Sequence, residues 1–97
     1  MTARYVLSPR AKADLEEIWD YSAAQWGEDR SERYIREVWR AIKQVAKKPR
    51  RGQSCDEIRA GYFKYAVGSH CLFYRLVPNG IDVVRILHQR MDFERHL

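Results

Sequence analysis

Apolar positions recur at helical spacing through the first half of the chain. After a short apolar run at residues 5–7, Ser8 and Pro9 are typical of a helix N-terminus, because a serine hydroxyl caps free N–H groups and proline suits the first turn. Gly27 is typical of a helix end. The pattern therefore predicts a strand and a first helix that ends at Gly27. The recurring positions are Ala11, Leu15, Ile18, Trp19, Ser22, Ala23 and Trp26.

A second helix follows after a short connection. Asp29 and Glu32 resemble a capping box, and the helical pattern continues until Pro49 and Gly52. Because few residues separate the two helices, they should form an antiparallel hairpin. The apolar arc of the second helix spans about 160°, wider than the roughly 100° that one buried contact requires, so a further surface should cover part of it. The arc contains Tyr34, Ile35, Val38, Trp39, Ala41, Ile42, Val45 and Ala46.

The second half alternates β-branched and aromatic residues with turn residues. It predicts strands at 57–67, 70–77 and 81–88. Asn79 and Gly80 predict a two-residue type I′ turn between the last two strands. Both faces of this hairpin are largely apolar, so the pattern leaves open which face the helices cover. The predicted register pairs Pro78 with Ile81, Tyr74 with Arg85, Phe73 with Ile86 and Cys71 with His88.

The element order is β-α-α-β-β-β, which predicts an α+β fold with the helical hairpin packed on a small, mostly antiparallel sheet. With 97 residues, 45% of them hydrophobic and 12% aromatic, residues 1–97 should form one folded domain, and a two-domain enzyme is excluded. No export signal or apolar stretch of membrane-spanning length is present, so a cytoplasmic protein is expected. Cys55 and Cys71 are interpreted as reduced thiols. No metal is expected, because His70, Cys71 and His88 lack a recognised zinc spacing.

The chain carries 18 Lys and Arg against 13 Asp and Glu, a net charge of +5. Basic residues in the loop and strands, interleaved with Tyr and Phe, would suit phosphate contact and base stacking. The alternative is a solvated positive surface over a Tyr and Phe core, and composition favours it. The cations in question are Lys47, Lys48, Arg50, Arg51, Arg59, Lys64, Arg75, Arg85 and Arg90.

Histidine near arginine suggests acid–base chemistry on a phosphodiester. His88 or His96 would act as the base, and Arg85 or Arg90 would stabilise the charged transition state. A single histidine at a strand end is more often a structural residue, and spacing alone favours that interpretation.

The three tryptophans all lie on the helical hairpin. Trp19, Trp26 and Trp39 would be effective anchors for a partner helix. They would serve equally well to complete a small core.

The order and spacing of several short motifs resemble the ParE toxins of the ParE/RelE superfamily almost from end to end. No single motif is long, but together they are specific. They lie at residues 5–9, 13–19, 25–27, 56–62, 68–70, 73–75 and 84–92.

This resemblance implies the toxin of a type II toxin–antitoxin pair, without a cofactor. A ParD-like antitoxin would neutralise it in a hetero-oligomer, with a tail that wraps the toxin and a ribbon-helix-helix end that provides the only contact with DNA. ParE relatives are taken to trap DNA gyrase on cleaved DNA and block replication, whereas RelE relatives cut messenger RNA on the ribosome. RelE-like sites typically place Tyr or His near the C-terminus, and the tail at 91–97 has no Tyr.

The missing Tyr favours a non-enzymatic gyrase inhibitor over the alternative, a ribosome-dependent endoribonuclease. A third possibility is a non-toxic relative that acts only in autorepression. The expected target-binding residues are Arg59, Lys64, Arg75, Arg85, His88 and Arg90. The expected antitoxin-binding residues are Leu15, Ile18, Trp19, Ile35, Val38, Trp39 and Ile42, although some of them must face the core.

Overall fold

Two long helices pack on a mostly antiparallel sheet, as predicted, and Gln53–Ser54 add a fifth strand to the four that the sequence indicates. The computed structural model describes residues 3–91 and 93–97; Asp92, in the tail considered above, lies outside the described residues. The sheet order is β1-β5-β4-β3-β2, with β1 parallel to β5 and the other pairs antiparallel. The elements are β1 (Arg4–Leu7), α1 (Pro9–Trp26), α2 (Glu28–Lys47), a 3₁₀ turn (Pro49–Arg51), β2 (Gln53–Ser54), β3 (Tyr62–Val67), β4 (His70–Val77), β5 (Gly80–His88) and the short helix α3 (Phe93–His96).

The start of α1 is capped as predicted. The Ser8 hydroxyl accepts a hydrogen bond from the Ala11 N–H at 3.0 Å, with Pro9 in the first turn. The same hydroxyl donates to the Val84 carbonyl at 2.7 Å. One side chain therefore ends β1, begins α1 and ties both to β5.

Gly27 alone connects the two long helices. Its N–H bonds the Ala23 carbonyl at the end of α1, and its own carbonyl accepts the Ser31 N–H in the first turn of α2. The predicted capping box at Asp29 and Glu32 is wrong, because α2 already begins at Glu28 and has no side-chain cap. The φ of +89° at Gly27 explains why glycine serves here.

The main core lies between the helices and one face of the sheet. Its helical part comes from the inner sides of α1 and α2, and its sheet part from alternating residues of β3, β4 and β5. The fully buried side chains of this cluster include Val38, Ile42, Val45, Leu72, Tyr74, Ile81 and Val83.

The turn between β4 and β5 differs from the prediction by one residue. Val77 pairs with Gly80, so the loop is Pro78 and Asn79, with φ +65° at Asn79. Proline first and positive φ second is the type II pattern rather than type I′. Gly80 lies in β5 instead, where the Arg4 backbone of β1 approaches so closely that a Cβ would collide with the Arg4 carbonyl.

The predicted register is wrong along the whole hairpin, because the shifted turn offsets each pair up to Tyr74 by two positions and a β-bulge in β5 reduces that offset to one beyond Tyr74. Tyr74 pairs with Val83 but Phe73 pairs with Arg85, which leaves Val84 as an extra residue. The bulge changes the alternation, so Val83 and Ile86 both belong to the main core. A strict period of two could not predict this change.

The predicted strand at 57–67 begins too early. Residues 56–61 form a compact turn in which the Cys55 carbonyl accepts the Ile58 and Arg59 N–H groups. The Asp56 carboxylate accepts the Gly61 N–H at 2.8 Å. Consequently β3 starts at Tyr62.

The second face of the sheet is covered by this turn and by α3. The Phe93 ring packs edge-on against Phe73 with centroids 4.6 Å apart, beside the partly buried Leu97. Cys55 and Cys71 are buried in this smaller cluster as free thiols, and burial raises the pKa of both. Among the described helices, none is long and apolar enough to cross a membrane.

Candidate interaction surfaces

Arg85 forms a buried ion pair with Asp14 of α1. Two bonds of 2.9 Å join Arg85 Nε and Nη2 to the two carboxylate oxygens, and Asp14 Oδ2 also accepts the Ile86 N–H at 2.9 Å. The pairing of β1 with β5 ends at Leu7 and Val83, which leaves the Ile86 N–H without a strand partner. The Asp14 carboxylate accepts that N–H in place of a strand. The side chains of Arg85 and Asp14 are only 10% and 8% exposed.

The hydrogen bond to Asp14 raises the pKa of Arg85, and Arg85 Nη1 also donates to the His96 carbonyl at 3.1 Å. The guanidinium therefore forms its hydrogen bonds within the protein, to Asp14 and to the His96 carbonyl. Its burial and its pairing with Asp14 make Arg85 a poor candidate for a target-binding surface, or for stabilising a transition state beside His88.

Arg59 and Lys64 lie beside the C-terminal segment. Arg59 Nη1 donates to the Leu97 carbonyl at 2.5 Å, and Lys64 Nζ lies 5.9 Å from the centroid of the Phe93 ring. The two predicted cations are brought together around α3.

Arg75 lies on an exposed part of the sheet. Its Nε is 3.0 Å from Asp82 Oδ2 across the β4–β5 hairpin, and its side chain is 57% exposed. Arg90 follows β5 and is also exposed, while its N–H donates to His88 Nδ1 at 3.1 Å.

His70 lies in a network that the sequence analysis missed. Tyr34 Oη accepts the Ser69 N–H at 3.0 Å and is hydrogen-bonded to His70 Nδ1 at 2.6 Å, and the histidine tautomer decides whether its hydrogen goes to that nitrogen or to the Val67 carbonyl at 3.4 Å. Burial, reinforced by the nearby His88, lowers the pKa of His70 to about 4. His70 is thus neutral at physiological pH. The sequence offered one signal of this network, the glycine at position 68. The structure explains it, because a Cβ at Gly68 would lie 2.5 Å from the Tyr34 ring.

His88 and His96 are not equivalent in the structure. His88 is partly buried, its ring centroid is 5.3 Å from that of His70, and both line a cavity of about 350 Å³ between α1 and β5. His96 lies in α3, where its carbonyl accepts Arg85. Within residues 3–91 and 93–97, no three His, Cys, Asp or Glu side chains are grouped to hold a metal ion.

An apolar groove, here called the hairpin groove, runs between α1 and α2. Its apolar surface comes from Leu15, Trp19, Ile35 and Trp39, its lining also includes Lys12, Glu16 and Asp20, and its volume is about 560 Å³. The Tyr5 ring lies 6.1 Å from that of Trp39, so the groove extends toward β1, the edge strand.

Among the seven predicted antitoxin-binding residues, the structure separates two groups. Trp19, Ile35 and Trp39 are partly exposed in the hairpin groove. The other four, Leu15, Ile18, Val38 and Ile42, are buried in the main core. Of these four, only Leu15 also borders the hairpin groove.

A row of exposed cations, here called the α2 basic band, follows the outer side of α2 and the turn after it. Residues 30–51 contain nine Lys and Arg but two Asp and Glu, a net charge of +7. The rest of the chain therefore carries −2. The sequence analysis noticed only the last four of these cations, although the helical spacing of the arginines was visible. The band contains Arg30, Arg33, Arg36, Arg40, Lys43, Lys47, Lys48, Arg50 and Arg51.

The arrangement of a helical hairpin on one face of a five-stranded sheet has a solved counterpart. The structure described as "Chromosomal ParDE TA system from P. aeruginosa" matches with a TM-score of 0.78, covering 90% of this chain and 96% of that one. At 16% identity, the similarity defines the fold class.

Sequence comparison then gives the family. The family described as "ParE toxin of type II toxin-antitoxin system, parDE" matches residues 5–93. Toxin ParE1 of Mycobacterium tuberculosis is 57% identical over 98 residues, covering 100% of both chains. Toxin ParE1 of Caulobacter vibrioides is 45% identical over 93 residues, covering 96% of both. The chain belongs to the ParE toxin family of type II toxin–antitoxin systems, which confirms the resemblance.

Proposed function

We propose that this toxin inhibits DNA gyrase by stabilising gyrase-cleaved DNA, and that it has no catalytic activity of its own. Family membership supports a toxin, and the buried Arg85–Asp14 pair supports the choice between the two targets. A ribonuclease without a metal needs a base, an acid and cations that converge on the phosphate. Here Arg85, which lines the same cavity as His88, is committed to Asp14.

The tail supports the same choice. Phe93 packs on Phe73 and cannot transfer a proton. The gyrase-binding surface then comprises the predicted residues that remain at least partly exposed, which lie beside α3, at the end of β5 and, for Arg75, on β4 opposite Asp82. They are Arg59, Lys64, Arg75, His88 and Arg90.

A ParD-like antitoxin would occupy the hairpin groove with an apolar tail segment. Trp19, Ile35 and Trp39 supply the aromatic and aliphatic contacts of a typical binding hot spot. Tyr5 connects the groove to β1, whose outer edge offers backbone hydrogen bonds to an added strand. The net charge of +5 would accelerate association with an acidic tail.

The gyrase proposal is tested with purified toxin, gyrase, relaxed plasmid and ATP. We expect reduced supercoiling and linear DNA after denaturation, both reversed by the antitoxin. The Arg90→Ala variant should lose both effects but still bind the antitoxin, because Arg90 lies outside the hairpin groove. Unaffected gyrase at large toxin excess, together with cleavage of ribosome-bound messenger RNA, would establish the ribonuclease instead.

The antitoxin proposal is tested by Trp39→Ala. Removing a central aromatic anchor should weaken antitoxin binding by about 2 kcal/mol or more, roughly 30-fold, in titration calorimetry. Tyr21→Ala is the matched control, since Tyr21 is a 65% exposed aromatic residue of α1 outside the groove. Equal affinities of the Trp39→Ala variant and the parent toxin would assign Trp39 to the core alone.

A further inference from the structure

The α2 basic band is long, and its charge is one-sided. From Arg30 to Lys47 it extends about 26 Å at 1.5 Å per residue, and the turn after α2 adds further cations. Because residues 30–51 carry +7 and the remainder −2, the positive potential is concentrated here rather than spread over the surface.

Shallow depressions lie beside both ends of the band. One, of about 750 Å³, is lined by four arginines and one carboxylate, Glu37, together with Trp26, Tyr34 and Ser69; the arginines are Arg30, Arg33, Arg36 and Arg40. The other, of about 1100 Å³, is lined by Lys47, Lys48, Arg50 and Arg51 beside Leu76 and Val77. Cations that border open depressions can reach a large anionic partner.

Within the described residues, most of these cations have no carboxylate at ion-pair distance, although Glu37 lies one helical turn from both Arg33 and Arg40. Arg36 pairs with Glu32 at 2.6 Å, and the Arg30 guanidinium lies 5.1 Å from the centroid of the Trp26 ring. Like charges three and four positions apart destabilise a helix slightly. A polyanion along the band would remove that repulsion.

The chemistry of the band fits a nucleic-acid backbone better than an acidic peptide. Six of its nine cations are arginines, whose planar guanidinium groups bind phosphate with two parallel hydrogen bonds. A duplex presents about 15 phosphate charges over 26 Å. A peptide segment would also need an apolar surface, and the hairpin groove already provides one elsewhere on the hairpin.

Double-stranded DNA fits better than a single strand. Single-strand binders need a series of exposed rings on which bases stack. The depression lined by the arginines offers no such series: its aromatic residues are Trp26, which is 45% exposed and contacts Arg30, and the half-buried Tyr34, which is bonded to His70.

We propose that the α2 basic band binds the sugar–phosphate backbone of double-stranded DNA directly and without sequence preference. This direct contact departs from the expectation that the chain meets DNA only through its antitoxin. It does not rest on the gyrase proposal, because the band and the gyrase-binding surface share no residue.

The test uses the full chain, free of antitoxin and gyrase, with a fluorescently labelled 20-base-pair duplex of random sequence. Anisotropy is measured between 50 and 200 mM salt. Arg33→Glu with Arg40→Glu is compared with Arg10→Glu with Lys12→Glu. All four residues are exposed, and both double variants change the net charge from +5 to +1, so only the position of the charge differs.

We expect the parent chain to bind the duplex with a dissociation constant of about 10⁻⁶ to 10⁻⁴ M at physiological salt, weakening steeply as salt rises. The α2 variant should bind at least roughly tenfold more weakly and reduce the salt slope by about 2, whereas the α1 control should change affinity less than about threefold. If circular dichroism shows that either charge-reversed double variant is unfolded, both are replaced by double variants with Gln at the same positions.

Three results would overturn the proposal. Equal weakening by both double variants would attribute binding to net charge alone. Tighter binding of a single-stranded 20-mer than of the duplex would assign the band to single strands. Displacement of the duplex by polyglutamate at a lower charge concentration than by unlabelled DNA would identify an acidic protein as the partner.

Discussion

The cations of the sheet and those of α2 have different surroundings. In the sheet and the turn before β3, Arg85 bonds Asp14, Arg75 bonds Asp82 and Arg59 bonds the Leu97 carbonyl. Along α2, arginines follow one another at helical spacing, and the structure shows an acidic partner for Arg36. Strand pairing and chain reversal bring a cation to groups distant in sequence, whereas a helix face repeats its own composition. To locate a binding surface, it is therefore more informative to know which groups each cation bonds than to count the basic residues.

The largest effect should come from removing the best-partnered cation. Arg85→Ala leaves the Asp14 carboxylate buried without its counter-ion, so the free energy of unfolding should fall by about 3–5 kcal/mol in urea denaturation. The Asp14→Ala, Arg85→Ala double variant should lose less than the sum of the two single losses. A loss below about 1 kcal/mol for Arg85→Ala would mean that the pair does not hold the fold.

A pH-dependent effect should come from His70. Its pKa of about 4 in the folded protein is lower than the ordinary 6.5, so the unfolded chain binds more protons between these values. The free energy of unfolding should therefore decrease as pH falls from 6.5 to 4, by about 1–2 kcal/mol for this partly buried group. His70→Gln should remove that part of the pH dependence, measured by urea denaturation at several pH values. His96→Gln is the control. If both variants lost the same part of the pH dependence, His70 would be excluded as its source.

A small effect should follow at Arg75. Its ion pair with Asp82 is mostly in solvent, so Arg75→Ala should lower the free energy of unfolding by less than about 1 kcal/mol, and by less still at high salt. A loss comparable to that of Arg85→Ala would remove the distinction between buried and exposed pairs.

The smallest effect on stability should come from α2. Arg40 lies four residues after Arg36 and three before Lys43, so Arg40→Gln relieves two repulsions and loses one attraction to Glu37. The free energy of unfolding should stay within about 0.5 kcal/mol of the parent value in the same urea experiment. Substantial destabilisation would show that the band holds the fold together.

Local signals predicted the helices and the order of elements well. Ser8, Pro9 and Gly27 act through neighbouring backbone groups, so their effect is visible in sequence. The bulge at Val84 and the placement of Gly80 depend on other strands, and a one-dimensional pattern does not contain them.

The candidate surfaces were less predictable than the fold. Arg85 looked like a functional cation because its partner, Asp14, is 71 residues earlier in the chain. Tyr34 looked like one more residue of an apolar arc, although its hydroxyl bonds His70 and Ser69. In contrast, the α2 basic band needs only helical spacing, and it could have been found from the sequence.

The parallel pairing of β1 with β5 has a consequence for synthesis. Leu7 is added to the growing chain long before its partner Val83, and at 5–20 residues per second the interval is about 4–15 s. During that time the helical hairpin can form from local contacts, but the first strand has no ladder to join and Asp14 has no arginine to bond. The nascent chain must therefore expose the inner side of its helices until translation reaches the last strand.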